Sequence, residues 1–438
     1  MKVVIMGLGS YERGSGVSAA RFFIERGDKV LITDLKTEKD LARQTRELKK
    51  FCKAKKQPMP ELVLGGHRED DFRDIDLVLR NPGVPKDSPY LKIAESSGAK
   101  IETDVSVFLK NTKATIVGIT GTRGKSTTAT LIYEFLKTKY PRTHLGGNIK
   151  ISPLSFIKKV RLGDIVVLEL SSWLLENFKK EKLAPHIAIV TNIYPDHLNT
   201  YDGMAEYMAA KKNIFACQKT GDFLVANGEN KETKKWRGRR KTIYFHKDDA
   251  KKYKTNLLGE HNLENIAAAL AVAKIMGVPR ARVKKVLRKF RGLPDRQELV
   301  AERGGVKFIN DTTATTPDGA IAALRAFGSK NKNIILICGG KDKNLEYGRL
   351  VREIKRHCKA IILLPGTATE KIHQQLQATS HKLQATVAKD MSEAVHSAKE
   401  SSVKGDIILL SPAAASFGLF QNEFDRGEKF KKAVKGLK

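Results

Sequence analysis

Cysteine is scarce: Cys52, Cys217, Cys338 and Cys358 stand far apart, and no two form a Cys-x-x-Cys pair. A disulfide framework or a thiolate zinc site needs paired spacing, so four reduced, mostly buried thiols are expected. Long apolar runs are missing too. None reaches the roughly 18 consecutive residues of a membrane-spanning helix. Met1 to Met6 leads into a Gly-rich turn instead of the apolar core and cleavage site of a secretion signal, which predicts an unprocessed, cytoplasmic chain without membrane insertion. Aromatics make up only 7% of residues, few for a surface that stacks on nucleic-acid bases. Acid is in short supply as well: 48 Asp plus Glu face 80 Lys plus Arg, a formal charge of +32.

What is present is ordinary globular material. Hydrophobic residues are 41% of 438, with 34 Gly and 14 Pro, which excludes global disorder and collagen. That length corresponds to about three domains of roughly 100–200 residues each. The excess of cations points first to a nucleic-acid binder. The cations are spread along the chain, however, and the densest run, Lys234 to Lys241, is short enough to be a loop. A solvated Lys-rich surface is the simpler account.

Short β-branched runs alternate with helical segments, the pattern of parallel sheets covered on both faces. Strands are predicted at Val3 to Met6, Lys29 to Asp34, Asp76 to Leu79, Ala99 to Ile101, Ala114 to Thr120, Asp164 to Glu169 and Ile187 to Thr191. A third unit begins near Leu293-Pro294, with strands at Val306 to Asp311, Asn333 to Cys338, Ala360 to Leu364 and Asp406 to Leu410. The fold class is therefore α/β in three domains: Rossmann-like, then mononucleotide-binding of P-loop ATPase type, then Rossmann-like again.

Between a strand and a helix stands Gly121-Thr122-Arg123-Gly124-Lys125-Ser126-Thr127. Its backbone N–H groups would cradle phosphates, Lys125 would neutralise their oxygens, and the Ser126 hydroxyl would reach Mg²⁺. The standard phosphate loop has Gly where Ile119 stands, so this is a related loop with its glycine at 121. Glu169 closes an apolar strand, where a Mg²⁺ contact is usual and a solvated strand-end carboxylate equally common. His197 follows another strand in Thr191-Asn192-Ile193-Tyr194-Pro195-Asp196-His197-Leu198, as a metal or substrate ligand or as a structural histidine. Asn262 and Asn265 lie three apart on one helical face, suited to a nucleobase or to helix capping. Near the start, Gly7-Leu8-Gly9 opens a dinucleotide-type turn with Glu12 in the third glycine position. An insertion displaces the turn to Gly14-Ser15-Gly16-Val17-Ser18, and Asp34 closes the second strand. Taken alone, that motif reads as NAD binding.

In order and spacing, these motifs resemble the Mur ligases, and the resemblance covers essentially the whole chain. Pro294-Asp295-Arg296, Asn310-Asp311 and the run Leu410 to Phe417, followed by Phe424 and Arg426-Gly427, continue it and resemble the glutamate-adding branch. The resemblance implies ATP-dependent addition of glutamate to UDP-N-acetylmuramoyl-L-alanine through an acyl phosphate, in peptidoglycan precursor synthesis by a monomer that binds no nucleic acid. It implies a UDP-substrate domain (1–112), an ATP domain (113–292) and an amino-acid domain (293–438). ATP would lie on residues Gly121 to Thr127, with Asn262, Asn265, Arg296 and Asp311 around adenine, ribose and phosphate. Two Mg²⁺ ions would be organised by Ser126, Glu169, His197 and a carbamylated Lys211, chosen over Lys212 by the Tyr207-x-x-Ala210-Lys211 register. Lys125, Glu169, His197 and Lys211 form the implied catalytic set. Gly14, Ser18, Asp34, Asn81 and Asn148 would hold the UDP precursor, helped by the Asp104 to Phe108 segment. Thr315, Lys343, Ser416 and Phe424 would hold glutamate.

Four positions depart from the family pattern. Arg123 replaces an Asn, Leu174 an amide expected near the muramoyl group, Lys150 a Gly, and Thr313 a lysine expected beside glutamate. Losing that cation removes a charge-assisted hydrogen bond worth roughly 1.5–3 kcal/mol. Arg123 and Ala314-Thr315-Thr316-Pro317 resemble a divergent branch that adds L-glutamate, so D- or L-glutamate stays open. The competing readings are a basic P-loop ATPase on nucleic acid, and a folate- or cyanophycin-related ligase sharing the central motifs. The N-terminal domain and the Ser411 to Phe417 run argue against the latter.

Overall fold

The computed structural model describes residues 1–438 except 10, 198–199, 239–240, 330, 378–382, 417 and 438. Leu198 of the His197 motif, Arg239 and Arg240 of the basic run, and Phe417 of the C-terminal run thus lie outside the described residues. The chain forms two compact units, Met1–Lys252 with Glu264–Val286, and Tyr253–Leu263 with Leu287–Lys438.

The first unit holds two parallel sheets. One contains β1 (Lys2–Met6), β2 (Lys29–Asp34), β3 (Glu61–Leu64), β4 (Leu77–Arg80) and β5 (Lys100–Glu102) in the order β3-β2-β1-β4-β5. The other contains β6 (Thr115–Thr120), β7 (Thr143–Gly147), β8 (Ile165–Glu169), β9 (Ile187–Val190), β10 (Phe223–Asn227) and β11 (Lys241–Phe245) in the order β11-β10-β9-β6-β8-β7. β8 and β9 are buried at every residue, because helices cover both faces of a parallel sheet. One apolar cluster, including Ile5, Phe23, Phe108, Phe156, Leu168 and Val190, joins the two sheets.

The second unit holds β12 (Glu298–Arg303), β13 (Val306–Asn310), β14 (Ile334–Gly339), β15 (Cys358–Leu364), β16 (Gln384–Val387) and β17 (Ile407–Leu410) in the order β12-β13-β17-β14-β15-β16. Only the β12–β13 pair is antiparallel, with a register shift between Leu299 and Ala301. The three-sheet α/β architecture agrees with the fold class expected from the sequence. The expected strands are all found, within a residue or two at their ends. Six others, β3, β7, β10, β11, β12 and β16, escaped the pattern.

The expected helix near Leu263 spans Glu260–Ile275 and ends before Gly277 at φ +63, a left-handed position that suits glycine. The four cysteines are unbridged; all but the half-buried Cys217 are buried. Among the described residues no helix is long and apolar enough to cross a membrane.

Candidate active site

β6 lies between β8 and β9, with Ile119 beside Glu169 and Thr120 beside Val190. The three segments leaving their carboxyl ends are therefore forced together: the Gly121 loop, the turn after Glu169, and Thr191 to His197. Open parallel sheets bind ligands at such a place. The Gly121 loop is held by its neighbours. The Thr122 N–H donates to Asn192 O (2.9 Å), the Arg123 N–H to Asn192 Oδ1 (2.9 Å), and Thr191 Oγ1 to Arg123 O (2.6 Å). A side chain at Gly121 (φ +140) would place its first carbon 2.0 Å from Thr191 Oγ1. At Gly124 (φ +80) it would stand 2.0 Å from Asn265 Oδ1. Asn265 also accepts from Thr128 Oγ1 (3.3 Å), so this sequence-predicted amide packs directly against the loop and the helix behind it.

The helix Lys125–Lys137 starts at Gly124 without a side-chain cap and with no acid in its first turn. Its leading N–H groups, at half-buried Ser126 and Thr127, face the end of the sheet as a helix N-terminus does when it meets an anion. Two lysines converge on one carbonyl. Lys125 Nζ donates to Gly121 O (3.0 Å) and Thr122 O (2.9 Å), while Lys211 Nζ donates to the same Gly121 O (2.9 Å). Lys211 is only 2% exposed and lies over the Tyr207 ring, 4.7 Å from its centroid. Burial, and then the Lys125 charge, hold its amine well below the usual lysine range, partly opposed by Asp196 and Glu169.

Glu169 is 3% exposed, and its Oε2 is buried with no hydrogen-bond partner. His197 takes φ +56 and places its ring edge-on to Trp173 (4.8 Å) and 6.2 Å from Tyr207. The Tyr207 hydroxyl is in turn 3.2 Å from Thr122 Oγ1. The structure thus brings together the Gly121 loop, Lys125, Glu169, His197, Lys211 and Asn265. Sequence reasoning gave no bracing role to the residues that hold them: Thr191 and Asn192 under the loop, Tyr207 between Lys211 and His197, and Trp173 edge-on to His197. Tyr207 had a signal, since i,i+4 spacing puts it on the same helical face as Lys211.

Asn148 follows β7, and its N–H donates to Glu169 O (2.8 Å). Lys150, standing where a glycine was expected, keeps a left-handed backbone at φ +68, with its Nζ 5.4 Å from the Tyr11 ring. Leu174, in place of the expected amide, is 2% exposed and belongs to the apolar core.

In the N-terminal turn, Gly14 precedes the helix Ser15–Glu25, and Ser18 is buried within it. Asp34 Oδ2 accepts from the Leu8 N–H (2.8 Å) and Oδ1 from the Lys36 N–H (2.9 Å). Asn81 Nδ2 donates to Gly7 O (3.3 Å). The inserted segment meets the loop beyond β7, where the Ser152 N–H donates to Arg13 O (2.7 Å). Asp104 is buried there, and burial raises its carboxyl, opposed by the Ser152 and Ser15 hydroxyls.

In the second unit, Asp311 accepts from the Gln297 N–H (3.2 Å) and Ser411 Oγ (3.0 Å). Arg296, beside Gln297, is exposed, and Asn262 Nδ2 donates to Leu258 O (2.8 Å). β13, β17 and β14 are neighbours, so the loops carrying Thr315, Ser416 and Lys343 leave one end of the sheet. Lys343 Nζ donates to Thr315 Oγ1 (3.2 Å). Phe424 sits in the first turn of the helix Glu423–Gly436, capped by Asn422. Thr313, in place of the expected lysine, donates its hydroxyl to Asp295 O (3.1 Å).

A parallel sheet presenting a glycine loop, a helix start without a side-chain cap and two converging lysines has the parts from which α/β proteins build a nucleotide-phosphate site. Residues 1–103 match the Mur ligase MurD-like N-terminal domain, 119–247 the Mur ligase middle domain, and 295–414 the Mur ligase glutamate ligase domain. The chain is 37% identical over 476 residues to the UDP-N-acetylmuramoylalanine–D-glutamate ligase of Roseiflexus sp. (strain RS-1), covering 100% of this chain and 98% of that one. To the enzyme of the same name from Borreliella afzelii (strain PKo) it is 37% identical over 455 residues, covering 99% and 97%. Among solved structures, the UDP-N-acetylmuramate-alanine ligase MurC of Thermotoga maritima shares the fold, with a TM-score of 0.66 at 20% identity over 100% of both chains. The chain belongs to the Mur ligase family.

Proposed function

We propose that this chain is an ATP-dependent ligase joining glutamate to UDP-N-acetylmuramoyl-L-alanine in cytoplasmic peptidoglycan precursor synthesis, acting as a monomer. The observation that carries the reading is the open helix start with Lys125, set beside buried Glu169 and Lys211 at the ends of β8, β6 and β9. The full-length relatives, UDP-N-acetylmuramoylalanine–D-glutamate ligases, suggest the substrates. A carboxylate oxygen of the UDP precursor attacks the γ-phosphorus of ATP, forming an acyl phosphate and releasing ADP. The glutamate amine then attacks the acyl carbon, loses a proton and expels inorganic phosphate. The helix-start N–H groups and Lys125 offset charge on the transferring phosphoryl group, which is largely a matter of positioning and electrostatics.

Among the described residues no three His, Cys, Asp or Glu side chains gather at one point, so a metal here needs other ligands. The bare Glu169 Oε2 suits a hard cation. Lys211 suits it only as a carbamate, and its depressed pKa favours the neutral amine that adds to CO₂ with loss of a proton. Ser126, Glu169, His197 and carbamylated Lys211 would hold two Mg²⁺ ions, which supply further neutralisation of the phosphates.

Asn265 beside the loop, with Asn262, Arg296 and Asp311 of the second unit, are assigned to adenine, ribose and phosphate. Gly14, Ser18, Asp34, Asn81 and Asn148 are assigned to the UDP precursor, and Thr315, Lys343, Ser416 and Phe424 to glutamate. The domain limits 1–112, 113–292 and 293–438 belong to the same reading. The relatives' names favour D-glutamate; Arg123 and Thr313 are the reasons to test L-glutamate.

The deciding assay is phosphate release with the UDP precursor and a panel of D- and L-amino acids, run beside DNA and RNA. Release that needs precursor and glutamate together supports the reading. Stimulation by nucleic acid alone would replace it.

A further inference from the structure

Outside the candidate nucleotide site, the second unit buries an arginine that makes no ion pair among the described residues. Arg426 is 0% exposed, and its hydrogen bonds all go to uncharged oxygens. Its Nε donates to Thr312 Oγ1 (3.0 Å), Nη2 to Thr312 O (2.8 Å) and Nη1 to Ala414 O (3.2 Å). Burial brings the guanidinium down to about 10, with Glu423 pulling the other way. Burying an unpaired charge is unfavourable, so a fold that keeps one draws something specific from it.

Those oxygens tie three pieces of chain together. Thr312 lies in the loop after β13 that leads to Thr315, and Ala414 in the loop after β17 that leads to Ser416. Arg426 itself stands two residues beyond Phe424 in the first turns of the helix Glu423–Gly436. Thr312 Oγ1 also donates to Glu423 O (2.7 Å), closing a ring between loop and helix start. The helix is seated tightly there: a side-chain carbon at Gly427 would fall 2.7 Å from Asp295 Oδ1 and 2.8 Å from Thr312 Cγ2. A lysine has one nitrogen and could not span both loops as the planar fork does.

The geometry points to Arg426 as the positioning residue of the amino-acid pocket, setting the spacing of the Thr315 loop, the Ser416 loop and Phe424 without touching the substrate. This rests on the glutamate assignment above. The test is steady-state phosphate release by the full chain carrying Arg426→Met or Arg426→Lys, with each substrate varied in turn. In Arg426→Met the KM for glutamate should rise about 10-fold or more, while the KM values for ATP and the UDP precursor stay within about two-fold. Arg426→Lys should recover part of that loss at most.

An unchanged KM for glutamate, or three KM values rising together, overturns the assignment. If circular dichroism and a thermal melt show Arg426→Met unfolded, Thr312→Val decides. That variant removes the hydroxyl shared by Arg426 and Glu423, and should raise the glutamate KM alone. Wild-type protein that releases no phosphate with glutamate would strike the functional reading itself, and this assignment falls with it.

Discussion

The N-terminal glycine turn and the Gly121 loop begin from the same plan, a buried parallel strand, a glycine-rich turn and a helix, yet they end in opposite states. After β6 the turn is braced from below by Thr191 and Asn192, and its head is lined by Lys125 and Lys211. After β1 the turn is closed on itself. Asp34 takes the Leu8 amide, Asn81 reaches the Gly7 carbonyl, and a side-chain carbon at Gly16 would stand 2.3 Å from Gly7 O. Neighbouring strand ends, more than the glycines, decide whether such a turn offers its helix to an anion. At the first turn Asp34 and Asn81 spend their polar atoms on the turn's own backbone; at the second Thr191 and Asn192 brace the loop and leave Lys125 at its head.

The largest break in this comparison should come from Lys125→Met, with a loss of about 10²–10³-fold in kcat and a normal melt. Asp34→Asn should cost far less kcat and act mainly through the KM for the UDP precursor, since Asp34 holds the turn assigned to that ligand. Equal losses in the two variants would erase the distinction.

Next, Lys211→Ala should lower activity about 100-fold, with partial recovery on adding a short carboxylate that restores oxygen ligands. In protein kept free of CO₂, where Lys211 is an amine, it also gives a signed pH effect. Its folded pKa is depressed, so the unfolded chain binds more protons between that pKa and about 10.4, and stability rises with pH across the window. Relative to Lys211→Met, wild-type protein should gain melting temperature as pH rises toward that limit. A flat difference would remove the buried-amine account.

Gly16→Ala should lose roughly 1–3 kcal/mol of stability, because the new carbon meets backbone that cannot step aside. Chemical denaturation measures it. Smallest, Lys150→Gly should stabilise by under about 1 kcal/mol, relief of the left-handed backbone outweighing the extra chain freedom. A drop in stability would mean that the Lys150 contact with Tyr11 matters more.

Much of this was legible in the sequence because it is local. The Gly121 loop declares itself by strand, glycine and lysine spacing, and the inner strands by unbroken apolar runs. β7 was not legible: two of its five residues are glycine, and it is a strand only because β8 offers it a partner. Thr313 shows the limit at the site. Sequence pattern predicts a missing cation, whereas the fold shows its hydroxyl on the Asp295 carbonyl, 18 residues away. Arg426 lies beyond such reasoning, since its partner Thr312 is 114 residues off and nothing in either segment announces the other.

β12 has a consequence for the molecule's behaviour in a crowded cell. A strand at a sheet margin exposes unpaired amides that can recruit another chain. Here that margin runs antiparallel to its neighbour, shifts register between Leu299 and Ala301, and carries Glu298, Glu302 and Arg303 in six residues. A kinked, charged border of this kind is a poor template for strand addition, so this margin of the third sheet is protected against growth into an aggregate.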